Sequence, residues 1–377
     1  MHSSLFSPQI KKKYLFIDGP LGRGGAERVL IDILRNFDYS QYSVDLCLLC
    51  PGGPLEKEIP EQVNVIHLWL SYTLSFRLAN HLSKDLGINC LLKKKLRDKL
   101  EDKYDVVISF LEGMPLKLHA LSGLHGRHYS WVHCDLFKFP YEAAQFRKGE
   151  ELKMYEQMNA VICVANDTER SFHKRFPGLQ TTTRVIYNPI DFEKICQMAD
   201  EENIINKLFT VVVVGRLTPQ KTTDRVVRLA ARLKQENILD VQFQIIGEGE
   251  LRHELEEQIR ELAVTDMVSL LGFKQNPFPY IKAADMLLSS SMAEGFGLVI
   301  CEAMVLGVPV ISTDTDGPRE ILQNEYGLLC QHDDESIYRA FMQMYTNTDL
   351  RRSFADKAKK RVENFRVENT VREIYNL

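Results

Sequence analysis

The sequence predicts an α/β protein of two tandem, Rossmann-like, doubly wound domains facing a cleft. Three observations lead there. The chain has 377 residues, and at about 100–200 residues per domain that makes two. Short apolar runs alternate with helix-period segments throughout, the pattern of a parallel sheet covered by helices. The alternation stops once, between Asn188 and Asn203, and then starts again.

Residues 1–188 make the first domain. Tyr14–Asp18 reads as a strand, residues 19–25 as a glycine-rich loop, and Ala26–Phe37 as a helix with Val29, Leu30, Ile33 and Leu34 at helical spacing. Further buried strands are expected at Val44–Cys50, Val63–His67, Val106–Phe110, Tyr129–His133 and Val161–Val164. Asn188–Asp191 and Asp200–Asn203 have turn and charge character and read as a linker. The second domain, residues 189–362, places strands at Phe209–Val214, Phe243–Ile246, Val268–Leu271, Met286–Ser289 and Val308–Ser312. Helices are expected at Asp224–Glu236, Leu251–Leu262, Pro279–Ala284, Gly297–Val305, Ser336–Tyr345 and Asp349–Val362, and a last one at Asn369–Asn376 within residues 363–377. Such a chain binds ligand at the carboxyl ends of its strands.

Composition narrows the class. Hydrophobic content of 45% and charged content of 26% are those of a soluble globular protein. No apolar run approaches the roughly 20 residues that span a bilayer. The first residues, Met1 to Pro8, show no secretory leader. Cys47 and Cys50 lie inside a strand and are expected to be buried, reduced thiols. A cytoplasmic protein is expected. Net charge is −4, with 25 Lys/Arg against 21 Asp/Glu in residues 1–188 and 22 against 30 in the remainder. A basic first half beside an acidic second half points to different partners, none of them a nucleic acid. Leu92, Leu96 and Leu100 share a helix face beside Lys93, Lys94, Lys95, Arg97 and Lys99. Two readings stay open there: a helix packed on the sheet with a solvated basic rim, or peripheral contact with anionic lipid or the pyrophosphate of a lipid-linked acceptor.

Candidate chemistry concentrates in the second half. The strand ending at Val214 is followed by Gly215-Arg216-Leu217-Thr218-Pro219-Gln220-Lys221. Two cations five residues apart between a strand and a helix suit a diphosphate, with Arg binding bidentately and Lys as a point charge. They suit an ordinary solvated loop equally well. After Ser289 comes Glu294-Gly295-Phe296-Gly297-Leu298, then Glu302 inside the next helix. The glycines allow close backbone approach, and the amides of Phe296, Gly297 and Leu298 open a helix that can bind oxygens. Glu294 suits sugar hydroxyls and Glu302 a ribose, although Glu302 in isolation also fits a solvent-facing helix position.

Together these segments resemble the retaining GT-B glycosyltransferases of family 4 (group 1), of the bacterial surface-polysaccharide type. Glu294 and Glu302, followed by Ala303-Met304 and Gly307-x-Pro309-Val310-Ile311, resemble the donor-site signature; Gly215-Arg216 and Lys221 resemble its diphosphate clamp. Gly247-Glu248-Gly249 and Gly272-Phe273 are similar to its loops beside the nucleotide, Gly24-Gly25-Ala26-Glu27-Arg28 to an N-terminal motif, and Tyr187–Asp191 to the domain junction. Two departures stand out: Thr222 where the family usually has Gly, and Asp316-Gly317-Pro318 for Gly-Gly-Pro.

The resemblance implies transfer from a nucleotide sugar, a UDP-sugar by family context, to a glycan or lipid-linked acceptor. It implies retention by front-face attack, with no metal or other cofactor. Arg216 and Lys221 would neutralise the leaving diphosphate, Glu294 and the Gly295–Leu298 backbone would orient the sugar, and Glu302 would hold the ribose. Gly24 and Gly25 would meet phosphate or acceptor, and His133, at a strand end, would touch the transferred sugar. Glu112, at another strand end, is a candidate for the acceptor. The last helix would cross back onto the first domain. Asp314-Thr315-Asp316 is not read as a metal site, nor Gly19-x-x-Gly22-x-Gly24-Gly25 as a dinucleotide fingerprint. A nucleotide-sugar 2-epimerase of the same fold and a non-catalytic nucleotide-binding homologue remain as alternatives.

Overall fold

The computed structural model describes residues 11–22, 24–138 and 140–377; the segment read for a secretory leader lies outside them. The described chain forms two parallel-sheet α/β units. One comprises residues up to Pro189 together with Val367–Leu377, the other Ile190–Arg366.

The first unit runs β1 (Lys12–Asp18), α1 (Gly25–Arg35), β2 (Tyr42–Leu48), β3 (Asn64–His67), α2 (Leu74–His81), a π-helical turn Leu82–Leu86, α3 (Cys90–Arg97), β4 (Lys103–Ser109), α4 (Met114–Ser122), β5 (His125–Val132), α5 (Glu150–Tyr155), β6 (Ala160–Cys163), α6 (Asn166–Arg175) and β7 (Thr182–Val185). Its sheet order is β3-β2-β1-β4-β5-β6-β7, all parallel. Central strands carry apolar side chains on both faces because helices cover both, so Leu15, Phe16, Ile17, Val106, Val107 and Ile108 are fully buried. Val29, Leu30, Ile33 and Leu34 of α1 are buried as their spacing predicts. Strand β7 was not among the expected strands: it is a four-residue edge strand with two polar threonines and little burial.

The second unit runs α7 (Phe192–Ala199), β8 (Phe209–Val214), α8 (Asp224–Gln235), β9 (Val241–Ile246), α9 (Arg252–Glu261), β10 (Val268–Gly272), α10 (Phe278–Lys282), β11 (Met286–Ser289), α11 (Leu298–Val305), β12 (Val310–Thr313), α12 (Asp316–Leu322), β13 (Leu328–Cys330), α13 (Asp334–Thr346) and α14 (Thr348–Val362). Its parallel sheet has the order β10-β9-β8-β11-β12-β13. Val211, Phe243, Ile245, Leu288, Ile311 and Phe341 form its core, each buried side chain of this kind contributing about 1.5–3 kcal/mol. One expectation needs correction. The stretch between the two linker-like segments is helix α7, N-capped by the Asp191 side chain accepting from the Lys194 amide, with Phe192, Ile195 and Ala199 buried.

The chain then returns to the first unit as α15 (Val367–Tyr375). Tyr375 stacks on Tyr42 with ring centroids 4.2 Å apart, and its hydroxyl accepts the Asp38 amide at 2.6 Å. Tyr14 and Tyr129 donate to the carbonyls of Ile374 and Leu377 at 3.3 and 3.1 Å.

The cysteines of β2 and its exit are buried, free thiols. Burial pushes the Cys47 thiol up to about 12, which leaves it unreactive. Leu92, Leu96 and Leu100 turn into the core while Lys93, Lys94, Arg97 and Lys99 are exposed, and Lys95 lies 5.8 Å from the Trp69 ring centre. Among the described residues no helix is long and apolar enough to cross a membrane.

Candidate active site

Both sheets reverse winding direction once, between β1 and β4 and between β8 and β11. At such a point successive loops diverge and leave a crevice at the strand ends. Most of the predicted site residues fall at these two places; Gly247 and Gly249 follow β9, Gly272 and Phe273 lie at the end of β10, and His133 follows β5.

In the second unit the loop after β8 carries Arg216 and Lys221, and the loop after β11 carries Glu294. The Lys221 ammonium forms an ion pair with the Glu294 carboxylate. Arg216 is exposed and makes no ion pair among the described residues. The Lys221 stem lies over Gly215, where a Cβ would sit 3.5 Å from Lys221 Cδ and Cε.

Five contacts fix the loop of Glu294. The Met292 amide donates to the Gln220 carbonyl at 2.8 Å, and Gln220 Nε2 donates to the Ala293 carbonyl at 2.9 Å. Thr313 Oγ1 donates to the Ser291 carbonyl at 2.6 Å, and the Gly317 amide donates to Glu294's own carbonyl at 3.1 Å. The fifth is Thr222 Oγ1 donating to the Ser290 carbonyl. Thr222 sits at φ +43°, ψ 44°, a conformation that a β-branched residue rarely adopts. Here it follows the lysine directly and turns its hydroxyl to the opposite loop.

The glycines of this region serve close packing. A Cβ at Gly247 would meet the Gly215 carbonyl oxygen at 1.9 Å, and one at Gly249 the Leu217 oxygen at 2.2 Å. Gly215 N donates to Ile246 O at 3.0 Å, Leu217 N to Glu248 O at 2.9 Å and Gly247 N to Gly272 O at 2.9 Å, so the three loops continue the sheet beyond its strands. Phe273 is half exposed at the end of the third loop. Gly297, at φ +99°, caps α11. Phe296 is buried, edge-on to Phe365 with centroids 5.4 Å apart, so its ring belongs to the core between Gly295 and Leu298. Glu302 lies partly buried in the second turn of α11.

In the first unit Gly24 caps α1, and the Glu27 side chain folds over it so closely that a Cβ would come 2.2 Å from Glu27 Oε2; Gly25 opens the helix. His133 and Glu112 are neighbours: the Glu112 carboxylate accepts the His133 amide at 3.1 Å and the Cys134 thiol at 2.9 Å. The His133 ring lies 4.8 Å from the Phe110 ring centre. Both its nitrogens are buried with no protein hydrogen-bond partner. Burial drives it down to about 3, opposed only weakly by the Phe110 carbonyl, so the imidazole is neutral.

A cleft of about 440 Å³ opens at the β1/β4 crossover, lined by Gly19, Pro20, Glu27 and Glu112 on the loop side and by Tyr72, Phe76 and Asn80 on the α2 side. Gln145 closes it, and the side-chain oxygens of Asn80 and Gln145 are buried without a partner. Sequence reading passed over Asn80 and Gln145, single polar residues far apart with no spacing to connect them.

Two family models cover the chain between them: Glycosyltransferase Family 4 over residues 23–194 and Glycosyl transferases group 1 over residues 197–361. A Campylobacter jejuni N-acetylgalactosamine-N,N'-diacetylbacillosaminyl-diphospho-undecaprenol 4-alpha-N-acetylgalactosaminyltransferase is 36% identical over 355 residues, 92% of this chain and 93% of that one. The chain belongs to glycosyltransferase family 4. The glycosyltransferase is also 24% identical, over 94% of its length and 93% of the relative's, to an Escherichia coli UDP-Gal:alpha-D-GlcNAc-diphosphoundecaprenol alpha-1,3-galactosyltransferase. The crystal structure of Anabaena Alr3699/HepE in complex with UDP and glucose matches with a TM-score of 0.77 at 22% identity, covering 97% of this chain and 98% of that one, a likeness of the GT-B fold. In the glycosyltransferase, Asp314 and Asp316 both pair with Arg319, at 2.7 and 3.5 Å.

Proposed function

We propose that this glycosyltransferase moves a sugar, with retention of configuration and without a metal, from a UDP-sugar to a lipid-linked glycan acceptor in bacterial surface polysaccharide synthesis. The observation that carries the reading is the contact of Lys221 with Glu294 at the β8/β11 crossover, beside the exposed Arg216. A cation that already neutralises the carboxylate read as the sugar's partner can turn to a departing diphosphate. Arg216 takes the same diphosphate bidentately. Glu294, released, accepts the sugar's hydroxyls, Glu302 accepts those of the ribose, and the amides opening α11 hold the remaining oxygens.

The donor's C1–O bond breaks as the acceptor oxygen bonds to C1 on the same face. The acceptor's proton passes to a phosphate oxygen, and UDP leaves. His133 stays neutral and touches the sugar without transferring a proton. The first unit's cleft, with Glu27, Glu112 and the free acceptor atoms of Asn80 and Gln145, suits the hydroxyls of an acceptor sugar. Support for donor and acceptor comes from relatives whose names specify diphospho-undecaprenol acceptors, alpha linkages and, in one, UDP-Gal. An alpha product is what retention gives from an α-linked nucleotide sugar.

The test is nucleoside diphosphate release from UDP-, GDP- and ADP-sugars with EDTA present, with and without a polyprenyl-diphosphate glycan, for wild type and Arg216→Ala/Lys221→Ala. Acceptor-stimulated UDP release that survives EDTA, is lost in the variant and gives an α-linked product by NMR is expected. Conversion of the donor's sugar to its C2 epimer without transfer would support an epimerase instead. Neither release nor nucleotide-induced thermal stabilisation for any donor would overturn the donor-site reading.

A further inference from the structure

The cleft at the β1/β4 crossover is charged with one sign only. Glu27 and Glu112 line it, and among the described residues no lysine or arginine does. Arg28, next in the chain to Glu27, pairs instead with Glu58 at 3.2 Å. The partners of Glu112 are an amide and a thiol, neither of which cancels its charge.

Asp18 gauges the field that results. It ends β1 immediately before Gly19, a residue of the cleft wall, and is fully buried. Its Oδ1 accepts the Gly19 amide at 2.7 Å, and its Oδ2 has no partner. Burial raises this carboxyl well above the usual range, and the charges of Glu27 and Glu112 push it further the same way against the single amide. A third negative charge is therefore resisted at this place.

The neutral polar groups of the cleft add acceptors. Asn80 Oδ1 and Gln145 Oε1 are buried without a partner, and a buried acceptor of this kind calls for a donor. Gln145 is held in place through its backbone, whose carbonyl accepts from Lys117 Nζ at 2.9 Å. That lysine is fully buried and faces Glu150 at 3.5 Å, so its charge is already answered. Tyr72 and Phe76, on the same side as Asn80, meet edge to face with ring centroids 5.5 Å apart. Acceptor oxygens beside an apolar ring surface match the two aspects of a sugar, its hydroxyl rim and its C–H face.

We propose that Glu27 and Glu112 make this cleft a subsite for an uncharged acceptor sugar, anchored by Asn80 and Gln145, and exclude a sugar that carries a carboxylate or a phosphate. The inference rests on the reading of the cleft as the acceptor site and names what that site selects. The diphosphate of a lipid-linked acceptor then stays outside the cleft.

Saturation-transfer NMR in the presence of UDP tests it, with octyl glucoside and octyl galactoside each compared with its own uronide and its own 6-phosphate. For wild type at least one neutral glycoside should bind, and its two anionic counterparts should bind at least about tenfold more weakly. Glu27→Gln keeps the shape and removes a charge, so it should narrow that gap to about threefold or less. Asn80→Leu should weaken the neutral glycoside about tenfold and leave the ratio as it was. The ratio is a readout that a merely structural role would not move, and unchanged melting temperatures check the fold of both variants. Anionic glycosides that bind wild type as well as neutral ones, a gap that persists in Glu27→Gln, or failure of both neutral glycosides to bind would overturn the proposal. Equal binding by Asn80→Leu would remove the anchor. The two readings fail separately: discrimination without transfer to any polyprenyl-diphosphate glycan removes the function proposed above, and transfer without discrimination removes the selectivity alone.

Discussion

Thr222 and Ser290 hold each other by the backbone: the Thr222 hydroxyl donates to the Ser290 carbonyl, and the Ser290 hydroxyl lies 3.1 Å from the Thr222 carbonyl and 3.0 Å from that of Lys221. The pair joins the loops that carry Lys221 and Glu294. A left-handed threonine costs about 1–2 kcal/mol, which two such bonds at about 0.5–1.5 kcal/mol each offset. Glycine at 222 would lose one bond and the strain together, so Thr222→Gly should change stability by less than about 1 kcal/mol. Thr222→Val keeps the strain and leaves the Ser290 carbonyl unpaired, and should cost about 2–3 kcal/mol in urea unfolding. Equal stability of Val and Thr at this position would refute the compensation.

Gly317 tests how tightly the Glu294 loop is seated. Alanine inside a helix normally gains about 1 kcal/mol over glycine. Here its Cβ would lie 2.2 Å from the Phe296 carbonyl oxygen, and overpacking costs about 1–3 kcal/mol. Gly317→Ala should therefore lower the melting temperature and weaken UDP binding, measured by calorimetry. An unchanged or raised melting temperature would show that α12 moves aside freely.

Lys221 and Glu294 should separate cleanly in kinetics. Lys221→Ala removes a diphosphate ligand and leaves the Glu294 carboxylate unpaired, so the UDP Kd should rise about 10–100-fold. Glu294→Gln should leave UDP affinity near wild type and lower kcat about 100-fold or more, because its work is on the sugar in the transition state. Equal loss of UDP affinity in both variants would contradict this division.

Two histidines set a pH limit on the first unit. His119 is buried between Ser109 Oγ at 3.1 Å and His128 Nδ1 at 2.9 Å, and burial pushes it, like His133, down to about 3. Unfolded, each titrates near about 6.5. Between those values the unfolded chain binds protons that the folded one refuses. Their contribution is therefore fully present above about pH 6.5 and lost as pH falls toward 3, at about 1.4 kcal/mol per pH unit for each histidine. Urea midpoints across pH 7 to 5 should show the decline, and His119→Gln should flatten it. An identical slope in that variant would exclude His119 as a source.

Much of this was legible because strands and helices announce themselves by period, and because strand ends are where glycines and charges interrupt apolar runs. Arg216, Lys221 and Glu294 stood out for that reason. Gly247 and Gly249 were legible as a loop but not as packing: their neighbour is the Gly215–Leu217 backbone, some thirty residues earlier. Helix α7 was hidden because its flanks look like a linker while only Phe192, Ile195 and Ala199 mark its buried face. Strand β7 is too short and too polar for its period to register. The Asn80 and Gln145 oxygens come together through tertiary structure alone.

Because α15 belongs to the first unit, that unit is interrupted in sequence by the whole of Ile190–Arg366. During synthesis its sheet and helices leave the ribosome first, yet the aromatic cluster of Tyr14, Phe37 and Tyr42 lacks Tyr375 until the second unit has been made. Completion of the first unit therefore reports that translation has passed through the second. A chain stalled anywhere between leaves Tyr42 and Phe37 without their partner ring.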